Sequence, residues 1–190
     1  MSTQAIRSRE NPNLELIAFH GHFATRHSHN SHYLDITRLK HEYSLAHDTA
    51  LALANHYIYE KSIDTIICMD GSEVIGAFLG RQLTQKILFS VNNNKSICVV
   101  TPEYDSNGQL LFRENLVSMI HGRNMLLLIS TVNSGKTARR ALDCIQYYGG
   151  THTLFSRNWK SRNAHSHGRT SSLSSGDTFP GPYPRPEGPA

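Results

Sequence analysis

Residues 130–137 read Ser-Thr-Val-Asn-Ser-Gly-Lys-Thr and follow the most apolar run of the chain, Met125 to Ile129. A segment with helical patterning comes next. Small and hydroxyl-bearing residues at such a junction let the backbone curl until successive N–H groups point at one spot. The helix start adds partial positive charge there. Ser134 and Thr137 bring hydroxyl donors and Lys136 brings a full charge. This chemistry holds a phosphate, so Ser130, Thr131, Val132, Asn133, Ser134, Gly135, Lys136 and Thr137 are the candidate phosphate-binding residues. The competing reading is an ordinary strand-to-helix turn with Ser134 as its cap.

Two further groups of residues stand out. Asp70-Gly71-Ser72-Glu73 lies between an apolar run and a helical pattern, and its carboxylates suit an oxygen-seeking ion such as Mg²⁺. The competing reading makes both carboxylates solvated loop groups. Five of the twelve histidines, His20, His22, His27, His29 and His32, fall within thirteen residues. Imidazole is a common ligand for zinc and nickel, but this spacing fits no closed metal site and no cysteine lies nearby. Polar substrate or surface contacts are the expectation, and no metal-binding side chain is assigned.

These groups need a scaffold, and helix and strand signals alternate along the chain. Tyr43 to Tyr59 has leucines and alanines at helical spacing. Ile63 to Met69 is a short β-branched strand, Glu73 to Lys86 a helix, and Ser96 to Val100 a strand. Residues 101–112 form a loop or hairpin marked by Pro102 and Asn107-Gly108. Met125 to Ile129 is a strand, and Gly135 to Tyr148 a helix closed by Gly149-Gly150. Continuous apolar strands separated by helices predict an α/β, doubly wound, mostly parallel sheet covered on both faces. Ligands of such sheets bind at the carboxyl ends of the strands, which selects loops 70–73, 101–112 and 130–137.

From Phe19 to Gly150 the sequence resembles the type I phosphoribosyltransferases, in particular the orotate enzymes. Gly21-His22-Phe23 followed by Ser31-His32-Tyr33-Leu34-Asp35 is similar to their early F…S-x-Y-x-D motif. Asp70-Gly71-Ser72-Glu73 stands at their pyrophosphate loop, and Met125 through Thr137 resembles their diphosphate-sugar signature. The resemblance implies transfer of phosphoribose from phosphoribosyl diphosphate to a pyrimidine base in nucleotide metabolism, with Mg²⁺. It implies that residues 130–137 hold the 5′-phosphate, Asp70, Gly71, Ser72 and Glu73 the pyrophosphate, and Ser31 and Tyr33 the base. It also implies a homodimer.

Two departures shape that expectation. The two acidic residues of the family's signature would fall on Ile129 and Ser130. Losing a charged partner in such a site commonly costs several kcal/mol of transition-state stabilisation. The 101–112 loop holds no Lys or Arg but does hold Glu103 and Asp105, which would repel pyrophosphate. Arg113 is the nearest cation and the one catalytic candidate. The alternatives are therefore a member that binds a nucleotide or phosphoribosyl diphosphate as a regulator without turnover, and a small P-loop NTPase. Gly135-Lys136-Thr137 fits the latter, but Ser130 stands where its first Gly belongs and no apolar strand ending in Asp follows.

Composition bounds the rest. Of 190 residues, 38% are hydrophobic and the net charge is +4. Residues 151–190 carry five basic and two acidic residues, so the preceding 150 are nearly neutral and lack the charged stripe that a nucleic-acid surface needs. The expected partner is a small phosphorylated sugar or nucleotide, with no nucleic acid and no membrane. No apolar run reaches the ~18–20 residues of a membrane span, and the first residues lack a signal-type apolar stretch, so a cytoplasmic protein is expected. Cys68, Cys98 and Cys144 read as buried free thiols. The predicted organisation is an N-terminal extension over 1–13, the phosphoribosyltransferase-like domain over 14–155, and a Pro/Gly/Ser-rich disordered tail over 156–190.

Overall fold

A computed structural model describes residues 2–8, 11–25, 28–59, 62–85, 90–132 and 135–157. Its centre is a four-stranded parallel sheet. The strands are β4 (Thr65–Cys68), β5 (Cys98–Val100), β8 (Asn124–Ile129) and β9 (Thr151–Arg157), in the order β5-β4-β8-β9. Around and before this sheet run β1 (Ser2–Arg7), β2 (Glu15–Thr25), β3 (Ser28–Asp35), β6 (Glu103–Tyr104) and β7 (Leu110–Leu111). The helices are α1 (Thr37–His41), α2 (Tyr43–Tyr57), α3 (Glu73–Thr84) and α4 (Lys136–Tyr147), with a 3-10 turn over Glu114–Met119.

The alternation of side chains along β4 and β8 explains why both faces are covered. Ile66, Cys68, Leu126 and Leu128 point to one face, where they pack with Ala46, Ala50 and Ala54 of α2 and Ile75, Leu79 and Leu83 of α3. Ile67, Met69, Leu127 and Ile129 point to the other, against Ala138, Ala141 and Ile145 of α4. Strands buried on both faces are apolar at every position rather than at every second one. Cys68 and Cys144 are buried, and burial pushes both thiols up to about 12. Cys98, expected to be buried, is only half-buried.

The α/β, parallel-sheet prediction holds, with shorter elements than the sequence suggests. The 101–112 segment is a hairpin of β6 and β7, in which Gly108 takes a left-handed conformation at φ 75°. Helix α4 begins after Gly135, which sits at φ 76°, where a side chain would be strained.

Within the expected N-terminal extension, Ser2–Arg7 form a strand. β1 pairs antiparallel with β2 from Ser2↔His20 to Arg7↔Glu15, and β2 pairs with β3, forming a second sheet of order β1-β2-β3. Leu14, Leu16, Ile36 and Leu39 are buried beneath it. The strand escapes notice in sequence because its side chains are nearly all exposed and polar. The predicted tail lies, from residue 158 onward, outside the described residues. No helix among the described residues is long and apolar enough to cross a membrane.

Candidate functional site at the carboxyl ends of the central strands

Parallel register sets which loops meet. Cys68 of β4 pairs with Leu128 of β8, and Ile67 pairs with Val100 of β5. The segments leaving these three strands therefore start side by side. Met69 N–H donates to the Leu128 carbonyl at 2.9 Å, and the fully buried Ser72 hydroxyl donates to the same carbonyl at 3.3 Å. Ser72 thus ties its loop to β8 rather than presenting its hydroxyl to a ligand.

Asp70 and Gly71 turn the chain into α3 through two successive left-handed residues, at φ 56° and 76°. An Asp in that conformation costs about 1 kcal/mol or more, which the surroundings must supply. Part of it comes from the Asp70 carbonyl, which accepts from the Lys40 ammonium at 2.7 Å and from the Ser130 hydroxyl at 3.3 Å. The Lys40 ammonium lies 3.6 Å, and His41 3.9 Å, from the point a Cβ on Gly71 would occupy. A half-buried cation from α1 therefore lies over the turn that opens α3.

Electrostatics place more groups here. Asp70 is exposed as a residue, but its carboxyl is crowded, and this desolvation raises its pKa from the ordinary carboxylate value. The Lys40 charge pulls it back and Glu73 adds to the rise. Burial, and then the Asp70 charge, raise the Tyr104 phenol, while Arg140 lowers it. The β6–β7 hairpin thus brings Tyr104 within electrostatic reach of Asp70 and of the first turns of α4. On the third strand's exit, the Thr101 hydroxyl donates to Glu73 at 3.3 Å.

The 130–137 segment is only partly described. Asn133 and Ser134 lie outside the described residues. Ser130 is 2% exposed and its hydroxyl is taken by Asp70, Val132 packs against the core, and Thr131 is exposed. Gly135 precedes α4, whose first turns expose Lys136, Thr137, Arg139 and Arg140. No acidic residue occupies that first turn. Lys136 at the positive end of the helix opposes its dipole by about 0.3–1 kcal/mol, and Arg139 and Arg140 add charge just beyond, so a bound anion would relieve them.

The other anticipated residues make their contacts outside the Asp70 turn. Ile129 is 1% exposed and belongs to the core facing α4, so no polar group enters the site from its position. Arg113 is held by Glu103 at 2.6 Å, both side chains being substantially exposed. Ser31 and Tyr33 sit on β3 in the second sheet and find their partners within it. The Ser31 hydroxyl meets His32 Nδ1 at 2.7 Å, and the Tyr33 ring lies between Phe19 and Phe23. Asp35 serves α1: the Thr37 side chain and N–H bond its carboxylate and lower its pKa. Lys40 and Arg140 carry no mark in the sequence, because nothing local marks a residue brought in from another element, whereas Thr101 and Tyr104 lie in the selected 101–112 loop without a signal of their own.

The class defined by this architecture is the α/β fold of phosphoribosyltransferase type: a parallel sheet covered by helices, with loops from adjacent strands meeting at its carboxyl end. Comparison with solved structures agrees. The chain is similar to Leishmania donovani UMP synthase at a TM-score of 0.51 and 13% identity, over 73% of this chain and 28% of that one. It is similar to the Mycobacterium tuberculosis H37Rv orotate phosphoribosyltransferase at a TM-score of 0.47 and 12% identity, over 74% of this chain and 75% of that one. A hypoxanthine-guanine phosphoribosyltransferase from Bacillus anthracis gives 0.40 and 19%, over 60% and 63%. At these identities the likeness is one of fold. The chain spans little more than a quarter of the UMP synthase. No family model matches the sequence, and no curated protein matches it.

Proposed function

We propose that the protein binds a phosphorylated ribose, phosphoribosyl diphosphate or a nucleotide, where the loops after β4 and β8 meet. The observation that carries this is the convergence on one sheet edge of two cationic groups of different origin. Lys40 lies over the Asp70-Gly71 turn, and Lys136 with Arg140 opens α4. In this reading the first group takes the diphosphate, the second takes the 5′-phosphate, and Ser31 and Tyr33 face the base. Phosphoribosyl transfer to a pyrimidine base, as in the orotate enzymes, is the reaction that the resemblance of the early Ser31–Asp35 motif suggests.

Asp70 and Glu73 fit a Mg²⁺ ion, an oxygen-only pair flanking the first turn of α3. Such an ion keeps several waters and is held by one or two carboxylates together with substrate phosphates. These two carboxylates would hold it, and it would offset the charge of a departing pyrophosphate. Lys40 holds the Asp70 turn through its carbonyl.

A second reading has its own support. The burial of Ile129 in the core, and the engagement of Ser130 with Asp70, leave the end of β8 without the paired carboxylates that would steady a ribose cation. A protein built this way binds the sugar phosphate as a regulator without turning it over.

One experiment separates the readings. Phosphoribosyl diphosphate, Mg²⁺ and a panel of bases are added to the protein, and binding heat and pyrophosphate release are both measured. Heat with release supports the transferase, and heat alone supports the regulator. Binding of ATP but not of the sugar diphosphate overturns both in favour of a P-loop NTPase.

A further inference from the structure

The histidines of the β2–β3 hairpin have no role in the site above, yet two of them meet. β2 and β3 pair as His20↔His32 and then as Phe23↔Asn30, so β2 carries one extra residue between His20 and Phe23. A bulge of this kind re-aims the side chains within it. Here His22 meets His29: His22 Nε2 and His29 Nδ1 are 3.0 Å apart, with both residues exposed.

We propose that His22 and His29 form a two-imidazole site for a divalent transition ion of square or octahedral preference, Cu²⁺ or Ni²⁺. Imidazole nitrogens bind such ions at about 2.0–2.1 Å, the range known for zinc. An ion at that range from two nitrogens 3.0 Å apart sees them at roughly 95°, close to the angle between neighbouring ligands in a tetragonal site, once the exposed rings, which now meet nitrogen to nitrogen, turn their lone pairs towards it. The two strands hold both rings, so the second bond is intramolecular and gains the affinity of a chelate. The nitrogens now share one proton in an N–H···N contact. On metal binding that proton moves to the other nitrogen of its own ring, and each neutral ring presents a lone pair.

His20 and His32 form the next pair along the hairpin, with edge-on rings 4.5 Å apart. His32 Nδ1 is occupied by the Ser31 hydroxyl at 2.7 Å, so this pair flanks the site and is not assigned to it. Among the described residues no group of three or more His, Cys, Asp or Glu could hold a metal ion. The proposed site therefore has two protein ligands and leaves its remaining positions to water or a small molecule.

The test titrates the full chain with Cu²⁺ and with Ni²⁺ by calorimetry, and records the electron paramagnetic resonance spectrum of the Cu²⁺ form. The expected result is one high-affinity ion per chain at micromolar metal, with two coupled nitrogens. His22→Gln and His29→Gln should each lower affinity about tenfold or more and leave one nitrogen, because each removes the chelate. A His20→Gln/His32→Gln double variant should bind as the parent does. Absence of saturable binding at micromolar metal overturns the proposal. So does a two-nitrogen signal that survives in the His22→Gln/His29→Gln double variant, which would place the ion on other histidines such as His165 and His167. Both substituted side chains are exposed, and circular dichroism confirms that the variants fold.

Discussion

The Lys40 ammonium donates to the Asp70 carbonyl at 2.7 Å across thirty residues of sequence. This bond joins the short helix that follows the N-terminal sheet to the turn leaving the first central strand. It ties the segment that follows the N-terminal sheet to the carboxyl end of the central sheet. It also leaves a cation beside a helix start, where an anionic ligand would find charge and N–H donors together.

Removing that cation should be felt by a ligand more than by the fold. Lys40→Met keeps most of the apolar stem. It should weaken binding of inorganic pyrophosphate about tenfold, as loss of a charge-assisted contact commonly does. Calorimetric titration of wild type and variant with pyrophosphate checks this, and equal affinities would remove Lys40 from the site.

Asp70 should make stability fall as pH rises. Desolvation raises its folded-state pKa above the unfolded value, so folding favours the protonated acid. The penalty is absent below the unfolded pKa of about 3.9 and complete above the folded one. Asp70→Asn removes the charge and suits the left-handed backbone at φ 56°. The variant should melt higher than wild type at pH 7, and the gap should close near pH 3.5. Thermal melts at the two pH values measure it, and a gap that widens on acidification would reverse the sign.

Lys136 sets stability against binding. It is exposed at the first position of α4, where a cation opposes the helix dipole. Lys136→Glu should stabilise the free protein by about 0.5 kcal/mol while weakening phosphate affinity by at least about tenfold. Urea unfolding and phosphate titration of the same variant give both numbers, and opposite signs are the expected outcome.

Gly76 marks the closest approach of α3 to the sheet. A Cβ there would collide with Cys68 Sγ and lie 3.3 Å from Val99. Gly76→Ala gains about 1 kcal/mol of helix propensity and loses about 1–3 kcal/mol to overpacking, for a net loss of up to about 2 kcal/mol. Adding Cys68→Ala relieves the collision, so the double variant should be more stable than the two single effects predict when summed. Denaturant midpoints of the four proteins test this directly.

Much of the candidate site was legible because its loops follow strands of unmistakable character. Asp70 to Glu73 and Gly135 to Thr137 lie where apolar runs end and helical patterns begin, and the structure places both at the carboxyl edge of the sheet. Ser72 and Ser130 had the right chemistry in sequence, yet their hydroxyls bond backbone carbonyls of the neighbouring segments. A hydroxyl has the same composition whether it faces a ligand or a carbonyl, so only packing could tell the two apart.

By itself the sequence determined three strands of the central sheet and the helices that cover it. A strand such as Met125 to Ile129 is apolar at every position, and only burial on both faces satisfies it. Tertiary structure alone decided that the polar run Ser2–Arg7 becomes a strand and that a bulge turns His22 towards His29. It alone brought Lys40 and Tyr104 to the Asp70 turn. The physical reason is range: periodicity reports the environment of one element, whereas each of these features exists only where two elements distant in sequence meet.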